Sequence, residues 1–477
     1  MLRRHSVIVA VSYIFSSAAC AADTPTTVNN DLVSVYQEAV DNNADLAVAR
    51  ADYSARREVV PQARAGLLPN LSAGAEMMNA RTKLDEPSVT SNRSGNSWSA
   101  TLAQPIFRAD RWFQLQAAEA VNEQAALQLS ATEQSLIRQT AETYFAVLRA
   151  QDNLASTKAE ESAFKHQLEQ SNERFDVGLS DKTDVLQSQA SYDTARANRI
   201  VAERQVQDAF EALVTLTNRQ YTAIQGVVHT LPVQVPTPND AKAWVEAAGR
   251  QNLNLLASNH AVTAAEETVR QRKAGHAPTL DAVVKYQNGD NDSLGFTNPS
   301  QTGVRYGGDV EQTSVGLQLN IPIYSGGLTS SQVREAYSRL TQSEQQRESL
   351  RRQVVESTRN LHRAVNTDVE QIQARKQSIV SNQSALEATE VGYQVGTRNI
   401  VDVLDAQRQL YASVRDYNNS RYDYILDNLR LKQAAGTLSP QDLRDLGRYL
   451  KVNYNPDKDF LPPDLAVEAK KNFGSRP

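Results

Sequence analysis

The chain has 477 residues, with 50 lysines and arginines against 55 acids, a net charge of −5. Its mean hydropathy is −0.51; beyond the N-terminus no run approaches the ~18 apolar residues a membrane helix needs, so any membrane passage must use strands. The absence of a long basic block argues against nucleic acid as a partner.

Residues 1–22 read as a signal peptide: Arg3 and Arg4, an apolar stretch from Val7 to Phe15, then the small residues Ala19-Cys20-Ala21 as a cleavage site. Its removal leaves 48 basic against 55 acidic residues, since the segment carries two arginines and no acid. Cys20 is the only cysteine, so the mature chain could form no disulfide. Lipidation at Cys20 is the alternative, but Ser17-Ala18-Ala19-Cys20 fits it poorly.

Past Ala65-Gly66-Leu67-Leu68-Pro69, Leu71, Ala73 and Ala75 open a candidate strand. Asn79 to Asn96, rich in polar residues, is expected to be a loop. Trp98, Ala100, Leu102 and Ile106 then alternate with Ser97, Ser99, Thr101 and Ala103, a second strand. Ile106 to Val177 and Leu179 to Gln225 contain neither glycine nor proline and are filled with good helix formers. Ile137, Ala141, Tyr144, Leu148 and Ala155 supply a narrow, heptad-compatible seam. A simple two-stranded coiled coil would show the same period.

The second half repeats this order. Leu280, Ala282, Val284 and Tyr286 alternate weakly; Asn288 to Glu311 is expected to be a loop; Val315, Leu317, Leu319, Ile321 and Ile323 alternate strictly. Leu328 to Val391 and Thr397 to Ala435 again lack glycine and proline. Four motifs align between the halves in the same order: Ala65-Gly66 to Leu71 with Ala274-Gly275 to Leu280, Gln104-Pro105-Ile106-Phe107 with Ile321-Pro322-Ile323-Tyr324, Phe175-Asp176-Val177-Gly178 with Tyr393-Gln394-Val395-Gly396, and Asp184-Val185-Leu186 with Asp402-Val403-Leu404. The chain is therefore read as a first repeat over 23–235 (strands within about 69–107), a second over 236–438 (strands within about 278–324), a further segment over 439–454, and a tail over 455–477 expected to be disordered.

The alternation suits lipid on one face and a lumen on the other, although a half-buried soluble strand has the same period. Four strands cannot close a barrel, and open edges are not tolerated in lipid, so a membrane role would require several chains to share one barrel.

Gly392-Tyr393-Gln394-Val395-Gly396-Thr397-Arg398-Asn399-Ile400-Val401-Asp402-Val403-Leu404-Asp405-Ala406 resembles the periplasmic turn and gate of the TolC family of outer-membrane exit ducts. Arg174 to Gly178 with Thr183-Asp184-Val185, and Gly436-Thr437-Leu438 with Asp442-Leu443, resemble further parts of that family, and the resemblance spans roughly Leu32 to Leu446. It implies a mainly α fold with a membrane β portion: a homotrimer with a 12-stranded outer-membrane barrel continuous with a long periplasmic helical barrel, belted by a smaller mixed domain built partly from Ser439 to Val452. It also implies a periplasmic adaptor (membrane fusion protein), an inner-membrane pump or ABC transporter, and outer-membrane lipid as partners.

Asp402 and Asp405 stand three apart and share a helix face; in a trimer six carboxylates would converge, raising some pKa values or recruiting cations. An acidic pair at this spacing is otherwise an ordinary solvated surface; by resemblance it is the gate at the periplasmic end. Tyr393, Arg398, Thr183 and Asp184 are carried over as its closed-state latch, and the turns at Gly178-Leu179-Ser180 and Gly396-Thr397 as adaptor contacts. The halves differ here: Arg398 aligns with Ser180, and Asp405 with Gln187.

The six histidines are scattered, and neither a zinc-protease motif nor a phosphate-binding glycine loop occurs, so neither catalysis nor a cofactor is expected. A periplasmic adaptor would carry one helical hairpin without the duplicated strands, and a purely structural coiled coil would carry no strands.

Overall fold

The computed structural model describes residues 30–86, 88–295 and 308–460; the expected signal peptide lies outside them. In chain order the elements are α1 (Leu32–Asn42), α2 (Ala44–Arg57), α3 (Val59–Ala65), β1 (Asn70–Leu84), β2 (Val89–Phe107), α4 (Ala109–Asp176), α5 (Lys182–Thr217), β3 (Gly226–Val227), α6 (Ala241–Gln251) and α7 (Leu253–Lys273). They continue with β4 (Thr279–Asp290), α8 (Asn291–Leu294), β5 (Asp309–Asn320), α9 (Leu328–Gln394), α10 (Ile400–Ala434), α11 (Pro440–Gly447), β6 (Leu450–Lys451) and α12 (Pro456–Asp459). No described helix is long and apolar enough to cross a membrane.

The long helices α4 and α9 have 68 and 67 residues, about 100 Å each at 1.5 Å per residue. The α5 helix lies along α4, and α10 along α9, while α7 packs beside both α4 and α9. Two repeat-related joints turn short helices into continuations of long ones. The Asn43 side chain accepts from the Leu46 amide at the start of α2 and donates to the Leu216 carbonyl near the end of α5, at 2.9 and 3.3 Å. Asn252 does the same between the Leu255 amide of α7 and the Ala434 carbonyl of α10, both at 3.0 Å. Each asparagine caps one helix and satisfies an orphan carbonyl of another, so the two stack end to end. Both α5 and α10 stop on a left-handed residue at matching positions, Asn218 and Gly436. An added side chain at Gly436 would strike the Gln251 carbonyl oxygen, so close approach as well as backbone sign requires glycine there.

The four candidate strands form one antiparallel sheet in the order β1-β2-β4-β5. Its register sorts the faces cleanly: Trp98 pairs with Ala75 and Asn288, Leu102 with Leu71 and Val284, and Val284 with Val315. Leu71, Leu102, Val284 and Val315 therefore share one face, with Trp98 and Tyr286 in ring contact at 5.0 Å, and Ser72, Thr101, Lys285 and Ser314 share the other. At the sheet–helix junction Arg108 grips Asp281 of β4 through two hydrogen bonds of 3.0 and 2.7 Å.

Three expectations about the sheet need correction. Asn79 to Asn96 is mostly strand, since β1 and β2 pair in register up to Leu84 and Val89; the backbone ladder continues where the side chains no longer alternate in polarity. Of Asn288 to Glu311, residues 288–290 extend β4, 291–294 form α8 and 309–311 open β5, while 296–307 lie outside the described residues. The strand expected through Ile323 stops at Asn320. Pro105 is accommodated in β2 beside Asp281 of β4 at a register shift, beyond the last pairing with β1 at Ala103; β5 pairs with β4 without such a shift and stops two residues before Pro322, which has no N–H to extend a ladder.

A second, small sheet pairs β3 with β6. Around it, Tyr454 and Tyr422 both donate to the buried Asp152 carboxylate, the latter at 2.7 Å. Arg421 donates to the Val228 carbonyl at 2.6 Å and to His229 Nδ1 at 3.0 Å, and His229 Nε2 lies 2.8 Å from the Asp459 carbonyl. The arginine can only donate, so Nδ1 is the acceptor and Nε2 carries the proton. Asn418 ties down the Phe460 carbonyl at 2.8 Å. Residues 455–460, expected to belong to a disordered tail, are thus strapped to α4 and α10; 461–477 lie outside the described residues.

Candidate functional site

Both helical hairpins reverse by the same device. Gly178 and Gly396 have φ of +74° and +81°. Leu179 N donates to Arg174 O at 2.8 Å and Gly178 N to Phe175 O at 2.9 Å; Thr397 N to Gly392 O at 2.9 Å and Gly396 N to Tyr393 O at 3.1 Å repeat the pattern. These are the paired bonds of a glycine helix cap. Nothing lies within 4 Å of an added Cβ at either glycine, and Leu179 and Val395 are 70 % and 69 % exposed. The two tips therefore present uncovered apolar side chains.

The returning helices start differently. Asp181 caps α5 through the amides of Thr183 and Asp184, whereas Asn399 and Asp402 form a reciprocal capping box at the start of α10. Asp402 is thereby fixed as an N-terminal helix residue, where a negative charge is favoured by the helix dipole. Behind it, Tyr393, Ile400, Val403 and Leu404 pack with Phe164 of α4 and Ala195 of α5 in a small apolar core that joins the two hairpins.

Of the four residues expected to form a latch, Tyr393 lies near Asp184. The Tyr393 ring lies under the Arg174 guanidinium at 4.8 Å, and Ser180 donates to Asp184 at 2.6 Å. The Tyr393 hydroxyl is buried near Arg174, Ser180 and Asp184 without a well-formed hydrogen bond to any of them. Burial raises its pKa, Arg174 opposes the rise, Asp184 adds to it and Ser180 opposes it. Arg398 and Thr183 are not brought together within one chain. Arg398 is 62 % exposed and turns back along α10 to Asp402 at 3.8 Å, and Thr183 lies exposed on the first turn of α5.

Asp405 points the opposite way along α10 and bonds Arg408 at 2.7 Å. Sequence reasoning missed Arg408, although its spacing from Asp405 repeats that of Asp405 from Asp402. It also missed an ion pair further up, where Arg415 donates to the buried Glu160 at 2.9 Å and joins α10 to α4. Burial and the Glu160 and Glu390 carboxylates push the neighbouring Tyr411 hydroxyl up to about 12.

The model of the family described as "Outer membrane efflux protein" matches residues 35–219 and 244–437. The chain belongs to this family. Its two matched segments follow the duplication. Among curated relatives, the outer membrane protein TolC of Vibrio cholerae is 36% identical over 443 residues, spanning 92% of this chain and 98% of the relative. TolC of Escherichia coli K12 is 36% identical over 90% of this chain and 87% of the relative. The proteases secretion protein PrtF of Dickeya chrysanthemi is 26% identical over 94% and 96%. Among solved structures, the outer membrane protein VceC of Vibrio cholerae superimposes with a TM-score of 0.72 at 18% identity, over 85% of this chain and 96% of that one. The CmeC outer membrane channel of Campylobacter jejuni does so with a TM-score of 0.71 at 17% identity, over 95% and 99%. The structural matches establish the fold, and the family places the protein in the outer membrane.

Proposed function

We propose that three copies of this chain form an exit duct that carries small molecules or unfolded proteins passively from an inner-membrane transporter across the periplasm and outer membrane. One observation carries the reading: a sheet with a continuous apolar face and two outer strands, β1 and β5, leads directly into helices about 100 Å long. In lipid those outer strands must pair, and pairing between copies closes a barrel with the apolar face outward. Four strands from each of three chains give 12, and the helices below continue the wall as a tunnel.

In this reading the glycine tips are the periplasmic entrance. Asp402 and Asp405 line it, Tyr393 holds the second hairpin on the first near Asp184, and Arg398, free of the first hairpin in its own chain, reaches Thr183 and Asp184 of a neighbour. The exposed Leu179 and Val395 with the backbone of Gly178, Ser180, Gly396 and Thr397 meet a periplasmic adaptor, which couples the duct to an inner-membrane pump or ABC transporter. No chemistry is required of the chain itself; energy comes from that partner. Relatives named for protease secretion and for efflux support both cargo classes.

Deletion of the gene, followed by drug susceptibility tests and a survey of secreted proteins, tests the assignment. Hypersensitivity or loss of a secreted protein, restored by the intact gene, is expected; a deletion strain unchanged in both respects would refute it. For the latch, Tyr393→Phe with Arg398→Ser should raise single-channel conductance in lipid bilayers, and unchanged conductance would remove those residues from the latch.

A further inference from the structure

The two acids of the proposed entrance are not equivalent, because each faces a different arginine of its own chain. Asp402 is engaged by the capping box and has Arg398 at 3.8 Å, an exposed and loosely held partner. Asp405 is bonded directly by Arg408 at 2.7 Å. Arg408 is also held from the other side: its guanidinium carbon lies 5.8 Å from the centre of the Phe164 ring on α4, and Phe164 is itself almost fully buried in the apolar core that joins the hairpins.

An exposed ion pair one helical turn apart is weak when both side chains are free to move. Here one end rests on a fixed aromatic face, an arrangement in which a planar guanidinium loses little further freedom on binding a carboxylate. We propose that Arg408 sets the ion selectivity and cation affinity of the entrance by neutralising Asp405 from its seat on Phe164. This rests on the gate reading above and sharpens it. With Arg408 bonded to Asp405 in each chain, and Arg398 only loosely placed by Asp402 and shared with the neighbour's latch, the entrance of the trimer is not a ring of six uncompensated carboxylates. Asp402, with the looser partner, supplies most of the remaining attraction for multivalent cations.

The test uses the purified full-length protein in planar bilayers, with lanthanum ion added on the helical-tip side and a potassium chloride gradient for the reversal potential. Four proteins are compared: wild type, Arg408→Gln, Arg408→Gln with Asp405→Asn, and Asp402→Asn with Asp405→Asn. Arg408→Gln exposes three carboxylates close to one axis and should lower the half-blocking lanthanum concentration by about tenfold, while shifting the reversal potential toward cation preference. Adding Asp405→Asn should return both readouts to within about twofold of wild type, because the charge that Arg408 covers is then gone. A merely structural arginine would give no such return. If Asp402→Asn with Asp405→Asn abolishes block but Arg408→Gln leaves block and reversal potential unchanged, the role of Arg408 is refuted and the gate stands. If the double asparagine variant is blocked like wild type, the gate reading fails and the inference fails with it.

Discussion

Removing Arg415 should cost more than removing Glu160, although the two residues face each other. The Glu160 side chain on α4 is 6 % exposed, while Arg415 on α10 is 24 % exposed and lies 3.4 Å from the Ser156 hydroxyl. Arg415→Gln leaves a carboxylate buried without its cation, and breaking such a pair costs about 3–5 kcal/mol when burial is complete. Partial access through the arginine side and one amide bond from the new glutamine reduce this to about 2–3 kcal/mol. Glu160→Gln leaves a guanidinium that still reaches water and an amide oxygen, a loss of about 1 kcal/mol. The double glutamine variant should cost less than the sum of the two, with a coupling of about 1–2 kcal/mol. Hydrogen exchange at residues 404–418 of the detergent-solubilised protein, read by mass spectrometry as local opening free energies, measures all three. Equal single costs that simply add would refute the reasoning.

The strap over α4 and α10 should loosen as pH rises. Burial lifts Asp152 from 3.8 to about 6, with the Tyr454 and Tyr422 hydroxyls and then Arg421 opposing the rise. A folded pKa above the unfolded one gives stability that is complete below about pH 4 and lost as pH passes 6, worth at most about 3 kcal/mol. Protection of residues 449–460 against hydrogen exchange, corrected for intrinsic rates, should therefore fall between pH 4.5 and 7, and Asp152→Asn should flatten that fall. Gly178→Ala, at a positive φ in open space, should cost about 1 kcal/mol and still yield assembled protein. Gly436→Ala combines positive φ with a collision against the Gln251 carbonyl and should sharply reduce assembled protein on unheated gels. Asn252→Ala should lower the heat-dissociation midpoint of the oligomer, through loss of a cap worth about 1–2 kcal/mol and an unsatisfied Ala434 carbonyl.

The long helices were legible because glycine and proline punctuate them and nothing inside opposes helix. The stretch from Ile106 to Val177 became Ala109–Asp176, its start set back by the strand that runs through Phe107. The strands were legible only where one face is apolar, as at Trp98 and Val315; above that band β1 and β2 pair through side chains that do not alternate. The Asn43 and Asn252 joints went unread, though their spacing equals that of Ala65 and Ala274 and marks them as a repeat-related pair. Capping by a side chain that also reaches a distant carbonyl cannot be seen in local pattern. At the hairpin tips the sequence offered the glycine turns and both acids. It did not offer the bond from Arg408 to Asp405, nor that Arg408, the third step of the same spacing, meets the Phe164 ring supplied by the other half of the chain. Nor does the pattern around Gly396 reveal that the Arg398 side chain turns toward Asp402 of its own helix, at 3.8 Å.

The central claim, that this chain is a shared-barrel duct, is tested most directly by measuring mass and conductance on the same sample. Protein extracted from outer membranes in detergent should have the mass of three chains, dissociate on heating, and form ion-conducting channels in a planar bilayer. A monodisperse single chain that stays soluble without detergent and conducts no current would contradict the account.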